Sequence, residues 1–218
     1  MTQKKINPFR VARYLMGAAE LSQLPPDEGV EVALAGRSNA GKSTALNAIT
    51  EQKSLAKTSK TPGRTQLINL FRLDDQSRIT DLPGYGFAKV AKNVKEQWQR
   101  TLSTYLQERL CLQALVIFMD IRHPLKETDK QMIQWAVQAD LSVHVVLSKA
   151  DKLKSGARKT ALLNANKHLQ RMSSNITSQV FSATNRIGVD ELIDKLRLWY
   201  GYMDEEELLN LADTSSTK

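Results

Sequence analysis

Gly36-Arg37-Ser38-Asn39-Ala40-Gly41-Lys42-Ser43 matches the spacing GxxxxGK[ST] in full. It follows the apolar run VEVALA at 30–35, which predicts a buried parallel strand, and a helical pattern begins near Lys42. In this context a glycine-rich turn wraps a phosphate, because backbone N–H groups point inward and the helix presents its positive end. The alternative, a chance glycine turn, is disfavoured by the flanking strand and helix. We therefore predict a phosphate loop at 36–43, with Lys42 reaching the β- and γ-phosphates and Ser43 ligating Mg²⁺.

Strand and helix patterns alternate through the rest of the chain. Further strands are predicted at 66–73, up to Leu82, and at 113–119, 141–147 and 177–181, and helices at 95–110, 125–139, 156–171 and 188–202. This order predicts an α/β fold with a mostly parallel sheet, one antiparallel edge strand and helices on both faces. We expect one domain at 25–203, preceded by a helical extension at 1–24 and followed by a disordered tail at 204–218.

Composition limits the class of protein. The 218 residues carry a formal net charge of +8, which favours polyanionic partners, although a merely solvated basic surface is the alternative. No apolar run approaches the roughly 20 residues of a membrane helix, so we expect no membrane partner. A single cysteine fits a reducing compartment, and we expect a cytoplasmic monomer. The basic N-terminus does not fit a secretory signal, while an organellar transit peptide stays open. The single cysteine, Cys111, is expected to be a small buried hydrophobe rather than a reactive thiol.

Ser148-Lys149-Ala150-Asp151 follows a predicted core strand and resembles the [NT]KxD motif of GTPases. A carboxylate in the Asp position accepts two hydrogen bonds from guanine, a donor pair that adenine lacks. The alternative is a turn with ordinary charges. Ser148 stands where that motif has Asn, the residue that ties the loop to the phosphate loop. Ser182-Ala183 after Phe181 resembles the SAK element that meets guanine O6, with Thr184 in the third place.

Two further segments resemble γ-phosphate sensors. Asp81-Leu82-Pro83-Gly84 matches DxxG, whose Asp holds Mg²⁺ through water and whose Gly N–H senses the γ-phosphate. In the segment 60–65 (KTPGRT) one threonine is expected to complete the Mg²⁺ shell. We favour Thr65, which lies just before the strand, over Thr61.

The set GRSNAGKS, KTPGRTQ, DLPGYGFAKV and SKAD resembles the EngB (YihA/YsxC) group of bacterial GTPases, over about residues 7 to 202. The resemblance implies a Ras-like GTPase fold and a role in assembling the large ribosomal subunit through its rRNA and ribosomal proteins. GTP or GDP would be the ligand. The nucleotide-binding set implied is Gly36, Arg37, Ser38, Asn39, Ala40, Gly41, Lys42, Ser43, Gly63, Arg64, Thr65, Gln66, Leu67, Asp81, Leu82, Pro83, Gly84, Ser148, Lys149, Ala150, Asp151, Phe181, Ser182 and Ala183.

Catalysis is expected from Lys42, Thr65 and Asn39. In related GTPases an Asn at the Asn39 position ligates K⁺ in place of an arginine finger; the alternative is that Asn39 only shapes the loop. Arg37 or Arg64 could instead supply charge. Tyr85 occupies the place where many GTPases carry a water-orienting Gln, and packing is its favoured role, so we expect slow intrinsic turnover.

Between Gln52 and Arg100 there are ten Lys/Arg and four Asp/Glu. This basic segment contains both sensor loops, which suits state-dependent binding of rRNA, and Phe87 could stack on a base. A solvated face and a buried Phe87 are the alternatives. Two competing functions are a P-loop phosphotransferase, which SKAD argues against, and a septin-like assembly protein, which the small size argues against.

Overall fold

The computed structural model describes residues 6–56, 67–86, 92–204 and 206–209, with backbone only for 92–95. Seven strands form one sheet: β1 Arg13–Ala18, β2 Val30–Gly36, β3 Ile68–Arg72, β4 Ser77–Asp81, β5 Leu112–Asp120, β6 Ser142–Ser148 and β7 Thr177–Val180. The α-helices are α1 Lys42–Ile49, α2 Lys92–Glu108, α3 Glu127–Gln138, α4 Ser155–Met172 and α5 Val189–Trp199.

The strand order is β1-β3-β4-β2-β5-β6-β7. Strands β4, β2, β5, β6 and β7 run parallel, and β3 is antiparallel to both of its neighbours. The predicted α/β class with a mostly parallel sheet is confirmed. The structure adds β1 outside the predicted β3–β4 hairpin, so that β1 occupies the sheet edge.

The expectation of a helical extension at 1–24 is wrong for residues 13–18, which form β1. Burial along this strand does not alternate from residue to residue, so its sequence lacks the usual strand pattern. The strand forms because β3 supplies its hydrogen-bond partners. Only single 3₁₀ turns, Pro8–Val11 and Leu21–Gln23, flank it. Residues 1–5 lie outside the described part of the chain.

The expected disordered tail also needs a correction. Residues 206–209 form a helical turn, and Glu207 accepts two hydrogen bonds from the guanidinium of the buried Arg197 on α5. This pairing fixes the first part of the tail against the domain. Residues 205 and 210–218 lie outside the described residues.

Alternation along the central strands divides the core between the two sheet faces. Leu34 and Phe118 face α1 and α5, whereas Ala33 and Ile117 face α2, α3 and α4. Both faces are covered, as a parallel sheet requires. In the part of the chain that the structure describes, no helix is both long and apolar enough to cross a bilayer.

Candidate nucleotide-binding site

The predicted motifs meet at the carboxyl edge of the sheet. The phosphate loop follows β2, DLPG follows β4, SKAD ends β6 and Ser182 follows β7. Because β2 lies between β4 and β5, and β6 lies between β5 and β7, these loops are neighbours in space. This edge is where ligands bind in open α/β sheets.

The phosphate loop has the backbone of an anion-binding turn. Asn39 and Gly41 have φ values of 62° and 92°, and Gly41 is the residue that precedes α1. A Cβ on Gly36 would lie 2.8 Å from the carbonyl oxygen of Phe118, so only glycine fits against β5 there. The Ala40 N–H donates to the Arg37 carbonyl at 2.9 Å. Asn tolerates the left-handed conformation, which supports a loop-shaping role for Asn39.

Backbone hydrogen bonds hold DLPG against the phosphate loop. The Tyr85 N–H donates to the Gly36 carbonyl at 3.3 Å, and the Ser38 N–H donates to the Tyr85 carbonyl at 3.2 Å. A Cβ on Gly84 would lie 3.2 Å from the Ser38 Cα, which explains the glycine. Any group bound by the phosphate loop therefore lies next to the Gly84 backbone.

Lys42 and Asp81 form an ion pair at the centre of this junction, with each side chain 11% exposed. Lys42 begins α1, and Asp81 ends β4 beside Leu34 of β2. Ser43 follows Lys42 in the first turn of α1 and is half-buried. A cation, a carboxylate and a hydroxyl are thus brought together at one helix N-terminus, where phosphate and Mg²⁺ bind in nucleotide sites.

Ser148 keeps the connection that Asn makes in the related motif. Its buried hydroxyl lies 2.5 Å from the Ala40 carbonyl oxygen and 3.0 Å from that of Met119. The shorter side chain reaches the phosphate loop because the two loops approach closely; a Cβ on Gly41 would lie 3.7 Å from the Ser148 Cβ. The exchange of Asn for Ser therefore preserves the tie.

Asp151 and Ser182 join the two loops of the predicted base pocket. The Ser182 hydroxyl donates to Asp151 Oδ1 at 2.6 Å, and this hydrogen bond holds the pKa of Asp151 below its usual value. Lys152 Nζ lies 3.0 Å from the other carboxylate oxygen. The Ala150 N–H donates to the Phe181 carbonyl at 2.9 Å, which fixes the loops in register. Asp151 is thus ionised and oriented by the chain itself.

Residues 31–149 match the model of a family described as 50S ribosome-binding GTPase. The chain is 55% identical over 199 residues to "Probable GTP-binding protein EngB" of Idiomarina loihiensis, covering 91% of this chain and 97% of that protein. It is 52% identical to the protein of the same name from Serratia proteamaculans, covering 99% of both chains. The chain belongs to the EngB family of GTP-binding proteins.

It is therefore a GTP-binding GTPase. Among solved structures, a crystal structure of a probable GTP-binding protein engB shares the fold with a TM-score of 0.63 and 21% identity, covering 80% of this chain and 100% of that one. Era, solved with MgGDPNP and part of 16S ribosomal RNA, has a TM-score of 0.58 and 20% identity, covering 79% and 57%.

Sequence reasoning missed a buried carboxylate in this EngB-family chain. Asp129 of α3 is completely buried and accepts from Arg37 Nε at 3.1 Å and from the Tyr85 hydroxyl at 3.0 Å. Burial raises the pKa of Asp129, while Arg37, Tyr85 and the Lys126 N–H stabilise its ionised form. The phosphate loop, DLPG and α3 are joined at this single side chain.

The Asp129 contacts decide two open interpretations. Tyr85 is 4% exposed, and burial, reinforced by the Asp129 charge, raises its pKa well above the usual value, so the packing role is confirmed. The Arg37 guanidinium also donates to the His123 carbonyl at 2.6 Å. Arg37 is therefore bound to α3 and to the loop that precedes it. The sequence offered only one signal for the role of Asp129, which is its position shortly after an apolar strand.

Asp120 is a second carboxylate that the motifs did not reveal. Arg122 holds its pKa well below the usual value, and Lys149 Nζ lies 3.1 Å from its Oδ2. Lys149 has a φ of 59°, and this conformation starts the turn that carries Asp151. The salt bridge to β5 thus positions the lysine beside the predicted base pocket.

Several predicted residues lie outside the described part of the chain. They are Gly63, Arg64, Thr65 with its alternative Thr61, Gln66 and Phe87; Leu67 is described and immediately precedes β3. Cys111 is buried, and burial raises the pKa of its thiol to about 12, which agrees with the expected inert cysteine.

Proposed function

We propose that this GTPase is a cytoplasmic, monomeric switch that assists assembly of the large ribosomal subunit. The switch function is supported by the backbone hydrogen bonds between DLPG and the phosphate loop. Through them, a bound γ-phosphate would be linked to the chain that leads into α2. The ribosomal partner is supported by the matched family, described as 50S ribosome-binding, and by the basic segment 52–100.

Guanine nucleotide would be held by the set named in the sequence analysis. Asp151 would accept the two guanine donors, and Ser182 keeps that carboxylate ionised and oriented. Ser148 fixes the base loop to the phosphate loop, so that base and phosphates are bound by one rigid unit. The stem of Lys149 would pack along the purine plane.

Mg²⁺ fits the side chains at this junction. The described residues contain no cluster of three His, Cys, Asp or Glu that could hold a metal alone, which is expected because Mg²⁺ in nucleotide sites relies on phosphate oxygens and water. Ser43 would ligate it, Asp81 would hold it through water, and Thr65 is the proposed further ligand. The ion would neutralise charge that develops on the transferring phosphoryl group.

Lys42 exchanges partners in the proposed reaction. Its ammonium pairs with Asp81 in the structure, and the β- and γ-phosphates would compete for it. Release of Asp81 from Lys42 would leave the carboxylate free to hold Mg²⁺ through water. Nucleotide binding and metal binding would then be coupled through this pair.

Slow turnover is part of the proposal, at roughly 10⁻⁴–10⁻³ s⁻¹ unassisted, since Tyr85 is held by Asp129 and Arg37 is engaged with α3. K⁺ bound by Asn39 is the proposed substitute for an arginine finger. Hydrolysis rates in KCl and NaCl at equal ionic strength test it, and equal rates would reject the K⁺ role.

Sedimentation with large ribosomal subunits and their precursors tests the function. We expect co-sedimentation with a non-hydrolysable GTP analogue and much weaker binding with GDP or ATP. An Asp151→Asn variant is the control: its amide donor suits the C2 carbonyl of xanthine, so that binding should follow the xanthosine analogue instead. Equal binding in all nucleotide states would reject the switch, and preference for ATP would favour the phosphotransferase.

The basic segment has its own test. Charge reversal at Lys89, Lys92 and Lys95 is expected to weaken the GTP-dependent binding to particles while nucleotide binding persists. Unchanged particle affinity would show that this segment does not contact the subunit.

A further inference from the structure

The positive charge of the chain is concentrated in a second region away from 52–100. Residues 152–189 contain seven Lys/Arg and no Asp/Glu, whereas the other 180 residues contain 24 Lys/Arg and 23 Asp/Glu. This 38-residue segment therefore carries a net charge of +7, and the other 180 residues together carry +1. An ordinary solvated surface mixes both signs, so this exclusion of carboxylates needs an explanation.

Helix α4 supplies 18 of the 38 residues of this segment and presents cations on one exposed face. Lys159, Lys167 and Arg171 are exposed and separated by eight and four residues, so they share a face over about 18 Å of helix. Ala165 and Leu169 on the other side are 2% and 1% exposed and anchor the helix to the core. We call Lys159, Lys167, Arg171 and the exposed side chains between them the α4 face.

Among the residues that the structure describes, the cations of the α4 face have no carboxylate partner. Within the described ranges, no carboxylate lies within ion-pair distance of Lys154, Lys159, Lys167 or Arg171. The exposed neighbours include the amides Asn164 and Gln170. Unpaired cations interleaved with amides and hydroxyls are the side chains that contact phosphate and sugar in nucleic acids.

The composition also indicates which nucleic acid fits. Residues 152–180 contain no Phe, Tyr or Trp, and the exposed His168 is the single aromatic ring of the face, too little for a stacking platform that serves successive bases. Single-stranded RNA is recognised largely by such stacking, whereas an RNA duplex is recognised by its phosphates and 2′-hydroxyls. Leu163 alone adds a large exposed apolar group, too little to insert a helix into a bilayer.

We propose that the α4 face binds the phosphodiester backbone of an RNA duplex, and does so in either nucleotide state. Helix α4 packs on β7, and three strands separate β7 from β4, which leads into the sensor segment 81–84, so we expect γ-phosphate loss to leave the α4 face unchanged. The proposal deepens the ribosomal function by adding a constant RNA anchor to a GTP-dependent one, and it rests on that function for its biological partner.

The test compares two triple variants of equal charge change in the full chain. Lys159→Gln, Lys167→Gln and Arg171→Gln remove the α4 cations; Arg10→Gln, Arg13→Gln and Lys126→Gln remove three exposed cations outside both basic segments. The probe is a fluorescent RNA hairpin with a stem of about 20 base pairs, measured by anisotropy across a salt series with GDP and with a GTP analogue.

We expect the α4 variant to lose about tenfold or more in affinity in both nucleotide states, and its salt slope to fall by about three. The control variant should bind almost like the wild type. If both variants lose the same affinity for the hairpin, net charge alone explains the loss and the proposal is overturned. If the α4 variant loses binding to vesicles of anionic phospholipid but keeps its affinity for the RNA hairpin, the proposal is overturned in favour of a membrane surface.

The two proposals can fail separately. Both variants should retain GDP affinity and the wild-type melting temperature, which excludes misfolding. If particles bind the α4 variant and the wild type equally, the α4 inference is wrong and the ribosomal function stands. If the hairpin depends on the α4 face but no particle binds the wild-type chain, the RNA surface stands and the ribosomal function is wrong.

Discussion

Charged clusters lie at both ends of the parallel strands, which we call the carboxyl edge and the amino edge of the sheet. The two clusters differ in what binds their charges. At the carboxyl edge, Lys42 and Asp81 form one pair, which phosphate and Mg²⁺ would separate in the function proposed above. At the amino edge, Glu31 is completely buried, with Arg78 Nε at 3.4 Å, Arg109 at 3.1 Å and a hydrogen bond from the Tyr105 hydroxyl. Every strong donor there is supplied by the protein.

The ion pair at the carboxyl edge is thus expected to change partners on ligand binding, whereas the buried cluster at the amino edge stabilises the fold. Arg109 lies just beyond α2 and also donates to the Pro25 carbonyl at 2.9 Å, so the far end of α2 is fixed to the amino edge. The near end of α2 follows the DLPG segment. We therefore expect a change at the carboxyl edge to act on a helix whose other end is anchored, and mutations at the two edges should affect different measurements.

The largest effect is expected on stability at the amino edge. Glu31→Gln removes the charge that balances two buried guanidinium groups, and breaking such a buried pair costs about 3–5 kcal/mol of unfolding free energy. Urea unfolding at pH 7 measures it, with the exposed Glu127→Gln as control. The GTP turnover of the folded variant should stay within about twofold. A large loss of turnover without loss of stability would contradict the division between edges.

The next effect falls on catalysis at the carboxyl edge. Lys42→Ala removes the cation that would contact the β- and γ-phosphates, and we expect turnover to fall about 100-fold or more, as when one strong transition-state donor is deleted. Lys130→Ala, which removes a half-buried lysine of α3 that pairs with Glu127, is the control. Single-turnover hydrolysis measures the rate, and a Lys42 variant with normal turnover would remove this residue from the mechanism.

A pH series sharpens the stability comparison. Burial lowers the pKa of His144 to about 4, and Thr177 and Gln179 of β7 hydrogen-bond its two ring nitrogens. Between about pH 6.5 and pH 4 the unfolded chain binds a proton that the folded chain excludes, so stability falls as the pH falls through this window.

The expected loss from this source at pH 5 is about 2 kcal/mol relative to pH 7. His144→Gln should make the pH dependence shallower by about that amount, and the exposed His168→Gln should leave it in place. Equal slopes in wild type and His144 variant would show that other groups dominate acid unfolding. Glu31 variants are therefore best compared at pH 7 or above.

The smallest effect tests the connection between the carboxyl edge and α3. Tyr85→Phe deletes the hydroxyl that donates to Asp129 and leaves the ring contact with Trp98, so stability should fall by only about 1 kcal/mol. If the tie positions DLPG, the ratio of GTP-analogue to GDP affinity should change as well. Tyr105→Phe, which deletes a hydroxyl at the amino edge, should lower stability without changing that ratio.

The sequence alone predicted the elements whose signals are local. Glycine spacing and an apolar strand predict the phosphate loop, and alternation of apolar runs predicts the parallel sheet. Strand β1 was missed because its pairing with β3 is a contact between residues 50 or more positions apart. Local patterns carry no information about such a partner.

The sequence by itself predicted the chemistry of this protein: it contains a phosphate-loop motif, a carboxylate that is expected to bind guanine, and a net charge of +8. Only the tertiary structure decided the surroundings of each charge. It placed Glu31 among donors from β4, from α2 and from the loop after α2, and it joined Tyr85 and Arg37 at Asp129. Within the described residues it left the α4 cations without carboxylate partners. The physical reason is that burial and the full set of neighbours fix the energy of a charge, and both arise only when distant segments pack together.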